Sequence, residues 1–439
     1  MFNEVNMSEM IKSKYIKPIE DKNFQINPIF NNKSSLNLVF AFNNEYAKYF
    51  AVALQSLIEN SKLKYLYDIV IFTSDLSDRN AKLLLKSIPN NFSIRFFNIK
   101  KYITTYFDNI KLSTKSYWSE EIYYRIFIPI IMNQYKKALY LDSDIIFNGD
   151  IKDLFSYDFE GKEIIAISDT VKLVIKNNTL KNRLKYIKND LCIKNTKQYF
   201  NSGVLLFNIS EINLDNYKQR FLKAINLETL YYPDQDMLNL IFNNRVKLVD
   251  WKWNLQYHIP IYHFKDIINM NKKEYEKYLN AFENPIIVHY TSPLKPWADS
   301  TQELSELFWI YARKTFYYEE ILAYMNKYSV IDTLKSLVLY IKLLDNRKIV
   351  LWGASIFLET FIKQYDIKTD NIIGIIDKNP EKQGTYIEQY KCYAPEDIIK
   401  LKPDEIIITI VNNTDEREKE IKLFLHSKNL ENIKITRLV

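Results

Sequence analysis

The segment Tyr140-Leu141-Asp142-Ser143-Asp144-Ile145-Ile146-Phe147 sets two carboxylates two residues apart between apolar runs that read as strand. In an extended chain residues i and i+2 point the same way, so Asp142 and Asp144 can hold one hard cation. A cation at a strand end is a way to grip a diphosphate. The same Asp-x-Asp spacing also suits a turn or a solvated edge. Other residues could join it. His289 closes an apolar strand at 285–288 and is either a packed residue or a ligand. Lys295, with Pro296 and Trp297 fixing the local chain, is either a surface lysine or an ammonium placed to neutralise a departing diphosphate. Arg125 interrupts the apolar, helix-like stretch 122–132 and calls for an anionic partner, Asp142 or another acid of the site. Gly203, in Phe200-Asn201-Ser202-Gly203-Val204, permits close backbone approach. Asp234-Gln235-Asp236 follows Pro233 and opens a helix at 237–242, so one acid is its cap, and capping is assigned to Asp236.

These side chains need a scaffold. Stretches 36–42, 68–73 and 93–98 read as buried strands, with helices at 46–60 and 78–88 between them. That alternation predicts a parallel sheet covered on both faces, with ligands at the carboxyl ends of its strands. The Asp142/Asp144 pair falls at such an end. Residues 1–35 are polar and irregular and read as a loosely held extension. From 301 to 346 the pattern is helical and aromatic, including Phe308, Trp309, Tyr311, Phe316, Tyr317, Tyr318 and Tyr324. Those rings either pack on the catalytic domain or rest on a membrane surface. A second α/β unit spans 347–439, with strands at 348–352, 372–377, 405–411 and 433–439 and helices at 356–365 and 395–401.

A chain of 439 residues predicts two or three folding units, and 47% hydrophobic with 26% charged residues describes a soluble globular protein. No apolar run reaches the length of a membrane span and no signal core opens the chain, so residence in the cytoplasm is expected. Cys192 and Cys392 lie far apart and form neither a disulfide framework nor a metal pair. The formal charge of +7 suits anionic partners, but a chain crowded with Lys, Asn, Ile and Tyr reaches it by composition alone. Basic residues are scattered, which excludes a nucleic-acid stripe.

The ordered set Leu38-Val39-Phe40-Ala41 with Tyr46-Ala47, Tyr123-Tyr124-Arg125, Asp142-Ser143-Asp144, Phe200 to Val204, Asp234-Gln235-Asp236, His289-Tyr290 and Lys295-Pro296-Trp297 resembles glycosyltransferase family 8. The resemblance covers roughly residues 36–325. It implies the type A α/β fold that binds nucleotide-diphospho-sugars, and a retaining, metal-dependent transfer of hexose. It implies a metal held by Asp142, Asp144 and His289; a mostly oxygen shell with one imidazole favours Mn²⁺, with Mg²⁺ as the alternative. By the same resemblance Ala41, Asn43, Tyr46, Arg125, Asp142, Ser143, Asp169, Asn201, Ser202, Asp234, Gln235, Ser292 and Lys295 would bind the donor. Arg125, Asp234, Gln235 and Lys295 would serve catalysis. Asp169 follows a strand at 164–167, where an acid is also an ordinary cap. Ser292 stands where the family has glycine, and Asn43 and Glu45 replace its acidic and amide residues at the base.

The activity implied is transfer of glucose or galactose from a UDP-sugar to a glycan or glycolipid acceptor such as lipopolysaccharide or lipooligosaccharide. Residues 172–198 are expected to shape the acceptor site. The enzyme would work in the cytoplasm, in peripheral contact with the inner face of the membrane. Rival accounts are a non-catalytic scaffold that binds nucleotide sugar, and a dinucleotide-dependent sugar-modifying enzyme centred on 347–439. That C-terminal unit resembles small Rossmann-like domains, with Leu351-Trp352-Gly353-Ala354-Ser355 as phosphate loop and Asp377 ending the next strand. A dinucleotide loop needs three glycines and this one holds Gly353 alone, so the unit is expected to serve assembly or docking rather than bind NAD.

Overall fold

The computed structural model describes residues 26–30, 34–86, 88–106, 120–170, 178–227, 230–257, 272–291, 295–327, 341, 347–355, 358–359, 362–363, 369–410 and 414–437. Most of the chain up to Ile321 forms one compact unit and Leu322–Val439 the body of a second. The first unit contains strands β1 (Ser35–Ala41), β2 (Leu66–Thr73), β3 (Phe92–Asn98), β4 (Ala138–Leu141), β5 (Ile145–Phe147), β6 (Ile164–Ser168), β7 (Phe200–Phe207), β8 (Val246–Val249), β9 (Leu255–Gln256) and β10 (Ile287–His289). Seven of them make one sheet in the order β3-β2-β1-β4-β7-β6-β8, and a small second sheet runs β5-β10-β9. β1, β2, β3 and β4 are parallel, as their helical crossovers require. β7, however, runs antiparallel to both β4 and β6, so the sheet is mixed rather than all parallel. Burial of β7 is complete along both faces, and a strand buried that way reads the same in either direction.

Helix Ala47–Asn60 buries Ala47, Phe50, Val52, Ala53 and Leu57, and its polar positions then fix the strand that follows the acidic pair. Ser56 Oγ accepts from Phe147 N–H at 3.0 Å, and Asn60 Nδ2 donates to Phe147 O at 3.0 Å, so both backbone groups at the end of β5 are satisfied by one helix. The last part of the expected N-terminal extension is docked, not loose. Ile26 is buried, Ile29 N–H reaches Asp68 Oδ2 at 3.0 Å, and Arg95 grips both Asp68 and Asn27 O. Residues 1–25 lie outside the described residues.

Helices Ser305–Ala312 and Tyr318–Lys327 carry the aromatic segment, with Phe308, Tyr311 and Tyr317 buried. Asn60 Nδ2 donates to Tyr311 OH at 2.9 Å, Lys314 pairs with Glu59 at 2.6 Å, and Tyr317 OH donates to Asn80 Oδ1 at 3.1 Å. These rings pack on the first unit, while most of 328–346 lies outside the described residues. Among the described residues no helix is long and apolar enough to cross a membrane.

The second unit contains β11 (Ile349–Trp352), β12 (Ile372–Ile376), β13 (Tyr386–Ile387), β14 (Tyr390–Tyr393), β15 (Glu405–Ile408) and β16 (Lys434–Arg437), ordered β13-β14-β12-β11-β15-β16. All but β13 are parallel. The β13–β14 hairpin and the helix Thr414–Ser427 are additional to the elements read from sequence. Most of the helix expected at 356–365 lies outside the described residues.

Candidate functional site

The acidic pair is not within a strand. Asp142, Ser143 and Asp144 form the bend between β4 of the large sheet and β5 of the small one. The bend still aims both carboxylates at one point. β10 lies antiparallel to β5 with His289 opposite Ile145, so strand pairing sets the imidazole beside Asp144. His289 Nε2 stands 3.5 Å from Asp142 Oδ2 and 3.2 Å from Asp144 Oδ1, and one ligand atom from each residue falls within 4.8 Å of the others. β7 completes the wall, with Asp142 N–H bonded to Gly203 O at 2.9 Å. What approaches Gly203 is the acid–histidine cluster itself, since a Cβ there would lie 2.2 Å from His289 Cε1 and 2.7 Å from Asp142 Oδ2. Two carboxylates and an imidazole, in a cradle that one methyl would fill, fit a divalent cation.

Cationic side chains hold the two carboxylates in place. Arg125, on the 3₁₀ turn Glu120–Phe127, is buried; its Nη2 lies 2.9 Å from Asp142 Oδ1, and its Nη1 lies 3.0 Å from Ser202 O and 3.4 Å from Asp234 Oδ2. Tyr140 lies under the guanidinium at 4.6 Å and donates its OH to Asp142 Oδ1 at 2.7 Å. Burial works against the Arg125 charge, but Asp142 first, then Tyr140 and Asp234, raise its pKa above the ordinary value and keep it cationic. The salt bridge to Asp142 expected from sequence is therefore present. Lys295 Nζ lies 2.6 Å from Asp144 Oδ2 and also donates to Tyr290 O. Burial of Asp144 disfavours its ionisation, but Lys295 and then His289 hold its carboxyl below the usual range. Lys295 is in turn pushed up, against its own burial, by Asp144 and then by Tyr46, which places Tyr46 at the same site.

Helix Pro233–Ile241 starts four residues earlier than the expected 237, so Asp234, Gln235 and Asp236 all occupy its first turns. Asp234 takes the Ser202 hydroxyl at 2.8 Å, and burial pushes its carboxyl up despite Arg125. Asp236 does accept a helix-start amide, Tyr232 N–H at 2.8 Å, from inside the helix rather than from the N-cap position. It also collects the hydroxyls of Tyr186 and Tyr199, which makes it a buried hub. Gln235 Nε2 donates to Asp169 Oδ2 at 2.8 Å, so Asp169 belongs to the cluster rather than to a solvated cap. Asn201 meets Gln235 Oε1 at 3.1 Å. Ala41 ends β1, Ser143 is buried in the acidic bend, and Asn43 caps the turn Asn44–Tyr46 by accepting Tyr46 N–H at 3.2 Å. Ser292 lies outside the described residues, as do 172–177 of the expected acceptor segment; the rest of that segment includes the helix Asn178–Asn189.

Three residues of the site were not singled out from sequence. Tyr140 supports Asp142 as described. Arg183 pairs with Asp169 at 3.1 Å and stacks on Tyr232 at 4.1 Å. Asn254 lies 2.9 Å from His289 Nδ1. Asn254 carries a signal that could have found it, an amide, like Gln256, set among the buried Trp251, Trp253, Leu255 and Tyr257.

The family model for glycosyl transferase family 8 matches residues 37–301, and one described as C2185-like, N-terminal matches 345–435. A lipopolysaccharide 1,2-glucosyltransferase of Escherichia coli is 26% identical over 274 residues, 61% of this chain and 74% of that protein. A lipopolysaccharide 1,3-galactosyltransferase of Salmonella typhimurium is 28% identical over 190 residues, 42% of this chain and 51% of that one. In fold, the chain is similar to the galactosyltransferase LgtC solved with donor and acceptor sugar analogues, at a TM-score of 0.51 and 21% identity over 64% of this chain and 96% of that one. With more than half its length matched, and the acidic pair, histidine and lysine gathered at one point, this chain belongs to glycosyltransferase family 8 and is a glycosyltransferase.

Proposed function

We propose that this protein is a Mn²⁺-dependent, retaining hexosyltransferase that moves glucose or galactose from a UDP-sugar to a cell-surface glycan or glycolipid. The observation that carries it is the convergence of Asp142, Asp144 and His289 within 4.8 Å. One imidazole among carboxylates and diphosphate oxygens favours Mn²⁺ over Mg²⁺. When bound, the cation would draw negative charge from the diphosphate as it departs. Lys295 supplies a second positive charge at the same place, and Arg125 holds Asp142 in its ligating orientation. Asp234, Asp169, Asn201 and Ser202 stand ready to bind sugar hydroxyls, and Ala41, Asn43 and Tyr46 to bind the base.

Retention needs either a nucleophile below the ring or attack from the leaving-group face. Gln235 Oε1 already accepts from Asn201 Nδ2 at 3.1 Å and Ser202 N–H at 3.2 Å, which occupies both lone pairs. That supports front-face attack, with the acceptor hydroxyl passing its proton to the departing phosphate oxygen. The glucosyl- and galactosyltransferases of lipopolysaccharide among the relatives support the choice of hexose and of acceptor.

The second unit we read as Rossmann-like but not dinucleotide-binding. Its loop after β11 is closed by its own chain, with Ala354 N–H bonded to Asp377 Oδ2 at 2.7 Å and Lys382 Nζ to Ala354 O at 2.7 Å. Ile410 fills the space over Gly353, where a Cβ would meet it at 2.4 Å. These contacts favour a role in assembly or docking. A donor screen of UDP release across UDP-hexoses, with and without Mn²⁺, tests the main proposal. Turnover of UDP-glucose or UDP-galactose is expected, and release from neither would refute it.

A further inference from the structure

Which imidazole nitrogen carries the proton decides which one His289 can offer to a metal. Here two backbone amides settle the assignment. Gly203 N–H can only donate, and it lies 2.9 Å from the Asn201 side-chain atom that must therefore be its oxygen. That oxygen lies 2.8 Å from one terminal atom of Asn254, which must then be the NH₂ group. The other terminal atom of Asn254 is accordingly its carbonyl, 2.9 Å from His289 Nδ1, and the only group left to donate there is Nδ1–H. Ser202 N–H fixes the other branch independently. It pins Gln235 Oε1 at 3.2 Å, so Asn201 Nδ2 donates to Gln235 and Gln235 Nε2 donates to Asp169. Both branches give Asn201 the same orientation.

We propose that Asn254 is a positioning residue that locks His289 in the Nδ1–H form, leaving the Nε2 lone pair aimed between Asp142 and Asp144 for the metal, an inference that rests on the metal assignment proposed above. The lock is built to last. Asn254 is fully buried, Gln235 is 5% and Asn201 8% exposed, and every amide in the chain Asn254–Asn201–Gln235 has partners within the protein. Arg183, paired with Asp169, anchors the far end. Because Nδ1 is committed to Asn254, Nε2 is the ring atom that faces Asp144 Oδ1 at 3.2 Å and Asp142 Oδ2 at 3.5 Å, and a bound cation would take the place there of any Nε2 proton. Residues one step behind a ligand typically change metal affinity by about 10–100-fold when removed.

The test uses the full chain. Long-range ¹H–¹⁵N spectra of the metal-free protein at about pH 8, above the usual imidazole range, are recorded with the His289 signal identified by its loss in His289→Ala; the sequence has four histidines. A proton on Nδ1, whether or not Nε2 also carries one, is the expected pattern, and Nδ1 bare with Nε2 protonated overturns the inference. Mn²⁺ alone is then titrated by electron paramagnetic resonance into wild type and Asn254→Leu, a change of similar volume. Affinity in the variant should fall about 10–100-fold while its His289 proton no longer stays on Nδ1. Equal Mn²⁺ affinity in the two proteins overturns the inference and leaves the metal site standing. Wild type that binds no Mn²⁺ overturns the metal assignment instead, and if Asn254→Leu does not fold, the wild-type spectrum alone decides the tautomer.

Discussion

Replacing Gly203 by alanine tests the site through a single methyl group. The added Cβ would sit 2.2 Å from His289 Cε1, 2.7 Å from His289 Nδ1 and 2.7 Å from Asp142 Oδ2. Carbon atoms in contact prefer about 3.5–4.0 Å, so the ring must retreat by roughly 1 Å or more. It cannot do so freely. His289 is a β10 residue paired with β5, and its Nδ1 is held by Asn254. On stability two effects compete. Alanine in a strand gains about 0.5–1 kcal/mol over glycine, whereas overpacking a filled site costs about 1–3 kcal/mol. A net loss of about 1–2 kcal/mol should lower Tm by roughly 2–8 °C. On function the displacement dominates, because a misplacement of about 1 Å at a reacting centre can cost roughly 100-fold. Mn²⁺-supported UDP release, measured beside the melting curve, should therefore fall about 100-fold in a protein that still folds. Wild-type turnover and wild-type Mn²⁺ dependence in Gly203→Ala would refute the cradle.

Asp144→Ala and His289→Ala should each abolish Mn²⁺-supported UDP release in protein that retains its circular dichroism. Asp142→Ala should do the same, and both acid variants should melt below wild type, since one strips the nearest anion from the buried Arg125 and the other from Lys295. Lys295→Ala should reduce kcat more than it raises the donor KM, because its charge acts chiefly on the departing diphosphate; an unchanged kcat would return it to simple binding. In EDTA, the depressed pKa of Asp144 means its ionised form stabilises the folded state above the usual carboxylate range, and that stability is lost as pH falls below about 4. Asp144→Asn should flatten that part of the Tm-against-pH curve, and an identical acid profile would contradict the assignment. Titration of the full chain with NAD or NADP in a calorimeter should show no saturable binding at micromolar concentrations.

The strand and helix order from β1 to β3 was legible because buried strands announce themselves by apolar runs and helices by period, and these three strands fall within two residues of their expected bounds. Direction was not legible. β7 is buried on both faces, and nothing in Phe200-Asn201-Ser202-Gly203-Val204 says which way it runs. The acidic pair was found for a reason that only half holds, since Asp142 and Asp144 converge from a bend between two sheets, not from one extended strand. Gly203 was marked by its type, but the imidazole that needs the space lies 86 positions downstream and only tertiary pairing brings it there. Arg183 and Asn254 stayed hidden for the same reason. An arginine on a polar helix and an amide after a tryptophan acquire meaning only when Asp169 and His289 are placed beside them.

The account stands most directly on metal dependence of donor turnover. Protein stripped with EDTA and dialysed free of it should release UDP from its preferred UDP-hexose at background rate and recover when Mn²⁺ is added back. His289→Ala, treated the same way, should not recover. Full turnover of the stripped wild-type protein without any divalent cation would contradict the central claim.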